Sequence, residues 1–200
     1  MIRIRVPVLL LALGALALGT PARAEWVVTP PRAGQVGLAV QGQYGGMLKS
    51  GDVGKLFNSG PGLAVRLRYR MRYERALGLS FESQRFDARV PTSDDSLAHH
   101  MNAYTYGIDV YQMFSTRTRT PKWLSVGAGL VQFRRMLNGG EIDFSDNNDG
   151  VYVSAAGGVE RFIWQSWAID LSGKYLTIFQ NGRPNHDFQA SLGLIVYATY

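Results

Sequence analysis

Four groups of residues are of types that do chemistry. His186-Asp187 sets an imidazole beside a carboxylate. Catalysis by such a pair requires a nucleophile or base oriented by a third group, and no serine partner is evident near it. His99-His100 offers two imidazoles to a metal, but adjacent histidines in a polar segment read as exposed side chains. The run EIDFSDNNDG, Glu141 to Gly150, gathers oxygen ligands of the kind Ca²⁺ takes. It departs from the D-x-[DN]-x-[DN]-G spacing of a calcium-binding loop and reads as solvated. The fourth group is Arg66, Arg68, Glu82, Asp109, Glu160, Asp170 and Lys174, three cations and four acids embedded in otherwise apolar runs. The chain has no cysteine, which excludes disulfides and thiolate metal sites. No catalytic, cofactor or metal site is assigned.

The elements that carry this fourth group alternate with period two, the signature of half-buried strands. In GLAVRLRYR, Leu63, Val65, Leu67 and Tyr69 oppose Ala64, Arg66, Arg68 and Arg70. In WAIDLSGKY, Trp167, Ile169, Leu171, Gly173 and Tyr175 oppose Ala168, Asp170, Ser172 and Lys174. Similar alternation runs through Val36–Tyr44, Ala76–Ser83 and Tyr104–Val110, more weakly through Leu124–Leu130 and Val151–Val159, and a last strand spans Phe188–Tyr200. No helical period of useful length appears after Ala24. Eight strands of about 9–13 residues are predicted, longer than the 5–6 common in soluble sheets and matched to the 9–11 that cross a bilayer. Every second connection is long: Gly45–Gly60, Asp87–Met101, Met136–Gly150 and the shorter Gln180–Asp187. Those between are short: Met71–Arg75, Thr116–Pro121 and Trp164–Ser166. Two rims facing different compartments produce this pattern, with long loops outside and short turns in the periplasm. Tyr69, Tyr73, Trp123, Trp164, Trp167, Tyr175 and Tyr200 lie near strand ends, where interfacial girdles form.

The first 24 residues have the form of a cleavable export signal: Arg3 and Arg5, an apolar Val6–Gly19 and the small-x-small Ala22-Arg23-Ala24. Cleavage there makes Glu25 the first mature residue. Removing Arg3, Arg5 and Arg23 leaves 18 basic against 15 acidic residues, so the net charge falls from +6 to +3. No basic stripe with interleaved aromatics points to nucleic acid. The expected organisation is a signal peptide at 1–24, a short periplasmic segment at 25–34 and one domain at 35–200.

On AAGGVERFIWQSWAIDLSGKY, Ala155 to Tyr175, and on the aromatic-ended last strand, the chain resembles the small eight-stranded outer-membrane β-barrels of Gram-negative bacteria, similar to the barrel of outer membrane protein A and its relatives. The resemblance implies an all-β, antiparallel, up-and-down transmembrane barrel, a monomer in the cell outer membrane among lipid and lipopolysaccharide. It also implies that the barrel-assembly machinery reads the terminal strand, here Gly193, Tyr197 and Tyr200. Ala198 and Gly193 depart from the spacing usual for that signal, and no peptidoglycan-binding domain follows the barrel. In such a barrel the seven charges point into a lumen just wide enough for side chains, where they pair as a structural network. The expected function is non-enzymatic, a structural, surface-interaction or adhesion role through the external loops. The alternative is a small channel or transporter for ions or apolar solutes. Some barrels of this size modify lipid A, which raises and leaves unsupported an enzymatic role for His186-Asp187. A soluble carrier requires the alternation to be inverted, with Leu, Val and Tyr inside.

Overall fold

The computed structural model describes residues 32–48, 55–88, 100–137, 140–142, 149–180 and 183–198. Nine strands run through them: β1 (Val36–Met47), β2 (Ser59–Arg70), β3 (Arg75–Asp87), β4 (His100–Phe114), β5 (Lys122–Leu137), β6 (Gly140–Ile142), β7 (Asp149–Phe162), β8 (Trp167–Gln180) and β9 (Arg183–Tyr197). Eight are 12–16 residues long and form one antiparallel ring in the order β4-β3-β2-β1-β9-β8-β7-β5, closed by pairing of β4 with β5. Three-residue β6 folds back on the end of β5. The last long strand pairs with the first from Gly37↔Tyr197 to Met47↔Asp187. Closure leaves no strand edge, which hydrocarbon demands because nothing there satisfies a free N–H or C=O.

The pleat assigns the faces. In β3, Ala76, Gly78, Ser80, Glu82, Gln84 and Phe86 are buried inside, and Leu77, Leu79 and Phe81 are exposed. The outer wall carries Leu38, Val40, Leu63, Val65, Leu67, Ile108, Val110, Leu124, Val126, Leu192 and Leu194, all exposed. A soluble carrier buries such residues and exposes charge. Here the apolar face is outside, which overturns the inverted reading.

Two expectations are corrected. Gln180–Asp187 is not a loop: β8 and β9 pair up to Gln180↔Arg183, so a two-residue connection replaces it. The long-short rhythm therefore holds for three of the longer connections and fails at the fourth, because the chain from Pro184 to Asp187 keeps the strand alternation that its polar composition disguises. Trp123 is not part of a girdle. It is 1% exposed and points into the lumen, on the same side as Ser125. Tyr69, Tyr73, Trp164, Trp167 and Tyr175 are exposed on the outer wall or its turns. The export signal and Tyr200 lie outside the described residues.

A charge at mid-wall separates the two faces in an experiment. Leu67→Arg places a cation on the apolar exterior and is expected to lower stability by about 2–4 kcal/mol, read from the urea midpoint of the folded barrel. Ser191→Ala on the lumen side is expected to cost under about 1 kcal/mol, since the serine hydroxyl has no hydrogen-bond partner among the described residues. Equal losses contradict the assignment of faces.

Candidate functional site: a buried charge network in the lumen

The chemistry-bearing groups converge inside the barrel. Among the described residues, four cations (Arg66, Arg68, Arg70, Lys174) and five acids (Glu82, Asp109, Glu160, Asp170, Asp187) are buried. An isolated buried ion costs several kcal/mol, so geometry must supply partners.

Seven of these nine form two groups, and Asp109 and Asp187 stand outside both. In the upper one, Glu82 receives both Arg66 Nη2 at 2.9 Å and Lys174 Nζ at 3.0 Å on Oε1. Arg66 Nε adds a contact at 3.3 Å, and the Thr105 hydroxyl donates to Oε2 at 3.4 Å. Arg66 and Glu82 lie on neighbouring strands, two residues apart in register, while Lys174 reaches across from β8. In the lower group, Arg68 on β2 meets Glu160 on β7, which stands directly opposite in the ring. Arg68 also lies 3.6 Å from Asp170, and Arg70 lies 3.4 Å from Glu160. Tyr197 donates its hydroxyl to Glu160 at 2.9 Å and receives Arg70 at 3.2 Å. Asp170 accepts from Gln41 Nε2 at 2.7 Å and from Trp123 Nε1 at 3.1 Å.

Aromatic rings complete the packing. The Arg68 guanidinium carbon sits 4.3 Å from the centroid of Tyr111 and 5.1 Å from that of Trp123. Cations over ring faces gain from the ring quadrupole, most when desolvated. Glycine makes the room: a Cβ at Gly158 would lie 2.6 Å from Trp123, and one at Gly78 would lie 2.7 Å from Tyr111. The rings pack close against the inner wall at those positions, which carry no side chain, and meet each other edge to face at 65°.

Above the charges the lumen turns apolar. Met47, Phe57, Phe86, Met101, Val131, Phe133, Leu176 and Ile178 form one buried cluster at the loop-bearing end. Phe57 belongs to the β1–β2 connection and is held there by a bridge to Ala88. Between cap and charges lies a cavity of only about 10 Å³, whose lining includes Gln43, Gln84, Asp187 and Gln189; that is room for about one water and far below the ~300–1,000 Å³ of common ligand sites.

All seven residues singled out in the sequence lie on the lumen side, and six of them are directly linked. Asp109 is buried but makes no ion pair within 4 Å among the described residues. The seven named from the sequence left out Arg70, Asp187 and the aromatic members Tyr111, Trp123 and Tyr152, the last buried with its ring centroid 5.2 Å from Lys174 Nζ. Of the terminal-strand residues, Gly193 packs its backbone against Gln41, and Tyr197 points inward as part of the lower group. His186 and Asp187 point to opposite faces. His186 contacts the Tyr175 hydroxyl at 2.7 Å and stacks on its ring outside, while Asp187 accepts from Gln189 inside. They form no catalytic pair. His100 begins β4, and His99 and most of Glu141–Gly150 lie outside the described residues.

Direct partners predict which double mutants couple. Glu160→Gln deprives Arg68 and Arg70 of their shared carboxylate and is expected to cost about 3–5 kcal/mol. Arg66→Met with Glu82→Met is expected to cost less than the two single changes added, by about 0.5–3 kcal/mol. Arg66→Met with Asp109→Asn is expected to be additive. Urea midpoints of the barrel folded in detergent give all three values, and coupling at Asp109 equal to that at Glu82 contradicts the assigned pairs.

The frame matches known barrels. Outer membrane protein OprG from Pseudomonas aeruginosa superposes with a TM-score of 0.63 at 9% identity, over 86% of this chain and 100% of that one. Neisserial surface protein A gives 0.58 at 15% identity, over 81% and 95%. Ail, the attachment invasion locus protein of Yersinia pestis, gives 0.55 at 12% identity, over 83% and 99%. At these identities the likeness concerns the fold. No curated protein sequence matches. The family model for the outer membrane protein beta-barrel domain matches residues 8–195, and with a closed ring, an apolar exterior and a charge-filled lumen, the chain belongs to that family of outer-membrane barrels.

Proposed function

We propose that this barrel is a non-enzymatic anchor that presents its three longer connections outside the cell for surface interaction or adhesion. The observation that carries this reading is the filled lumen. Arg70, Glu160 and Asp170 are each 0% exposed, and the apolar cluster covers the charges on the loop side. A barrel without a water-filled path does its work through what it displays. The attachment invasion locus protein, named for attachment, uses the same frame, which makes the role compatible with the fold. Export by the signal at residues 1–24, assembly through the terminal strand, contact with lipopolysaccharide and a monomeric state belong to the same proposal.

Planar-bilayer recording separates this reading from the channel alternative. The purified barrel is expected to show no sustained conductance, and stable single-channel steps would move it to the transport class. Orientation has its own test. Protease applied to intact cells is expected to cut within 45–60, 87–101 or 136–150 and to spare Met71–Arg75. Cleavage confined to the short turns would invert the topology.

A further inference from the structure

The rim carrying the short turns is basic on one side. Outward-facing positions alternate along each strand, and at this rim β3, β5 and β7 end that face with Arg75, Lys122 and Arg161. The next outward residues are Leu77, Leu124 and Val159. Each cation thus sits two residues, about 7 Å along the strand, beyond the apolar wall. Phe114 on β4 lies between the first two and pairs with Lys122. The adjoining turns add Arg72, Arg117 and Arg119. All six cations are exposed, and none is in an ion pair within 4 Å among the described residues. Glu74 is the one exposed acid described at this rim. The other half of the rim ends in Tyr69, Trp167, Val196 and Val36, with Arg32 alone in the approach to β1.

We infer that this β3–β7 half of the rim is a binding surface for anionic phospholipid headgroups of the inner leaflet. The direction of the side chains selects the occupant. Arg75, Lys122 and Arg161 are strand residues of lipid-facing parity, so they project sideways into the bilayer interface, within two residues of the register of the exposed Phe114–Lys122 pair and on the same rim as Trp164 and Trp167. An acidic protein or glycan in the periplasm meets the turns end-on. A phosphodiester in the leaflet meets the strand cations and the turn cations together. The guanidinium fork suits phosphate oxygens, and each basic residue near a charged membrane surface strengthens attraction to anionic lipid. The inference rests on the proposed orientation for the leaflet it names, but not for the lipid chemistry.

The test uses the full mature chain in phosphatidylcholine bilayers with spin-labelled phosphatidylglycerol or phosphatidylcholine as probes. Electron spin resonance gives the lipid held at the protein wall. Wild type is expected to prefer phosphatidylglycerol by roughly five-fold at low salt, with the preference falling towards one at about 1 M salt. Arg75→Gln with Lys122→Gln and Arg161→Gln is expected to abolish it. Arg75→Lys with Arg161→Lys keeps the charge and is expected to retain it. Arg85→Gln at the far rim, where Arg85 sits 3.5 Å from Asp87, is expected to change nothing. Heat-modifiability on a gel verifies that each variant is folded. No preference in wild type, or a preference that survives the triple change, overturns the inference. So does salt-sensitive binding of soluble polyglutamate without lipid selectivity, which would hand the rim to an acidic macromolecule. These readings do not depend on which rim is periplasmic, and surface proteolysis tests that separately.

Discussion

A strand in hydrocarbon has no water to complete its hydrogen bonds, and a ring of eight strands has an interior only as wide as the side chains that fill it. Both facts act on every residue of this chain. The first forces β9 onto β1 and makes the wall continuous. The second brings most charges on the inner face into contact with another, Asp109 and Asp187 excepted among the described residues. Arg68 on β2 reaches Glu160 because four strands of ring bring β7 opposite it. Alternation that puts Leu67 into lipid puts Arg66 and Arg68 into the lumen. The polar interior follows from the apolar exterior, and the pairing follows from the narrowness of the ring.

The layering of the lumen gives the barrel two ends of different character. The end with short turns holds Arg68, Arg70, Glu160, Asp170 and the ring of Tyr197. The middle holds Glu82 between Arg66 and Lys174. The loop end is closed by aromatic, aliphatic and methionine side chains. Replacing a buried ion network by apolar residues is often neutral or stabilising, so stability alone does not explain why this interior keeps its charges. A role in fixing strand register fits them, because each pair is satisfied only when the strands stand at one stagger.

Much of this was legible in the sequence. Strand number, the two faces and the charged lumen follow from period two, since parity alone decides which side chains meet lipid. The misses have physical causes. Trp123 resembles a girdle residue by type and by nearness to a turn, yet it shares parity with Ser125 and therefore points inward. Pro184–Asp187 looks like a loop by composition, yet its alternation places Asp187 beside Gln189. The apolar cap was also written in parity: Glu82 and Gln84 give way to Phe86 on β3, and Lys174 gives way to Leu176 and Ile178 on β8. Partner choice was not legible. Whether Arg68 meets Glu160 or Asp109 depends on the stagger between strands far apart in the chain, which no local pattern encodes.

A non-conducting barrel requires that water does not enter its charged middle. The chain has no cysteine, so one introduced thiol is a unique reporter. Ser172 sits in that middle, 5% exposed and 3.5 Å from Arg66. Ser172→Cys, in the barrel folded in lipid, is to be treated with a charged, membrane-impermeant methanethiosulfonate and compared with a cysteine at exposed Arg117. A closed lumen predicts rapid labelling at Arg117→Cys and none at Ser172→Cys until urea unfolds the barrel. Labelling of folded Ser172→Cys at the rate of the exposed site would contradict it, because the lumen would then be an aqueous pore.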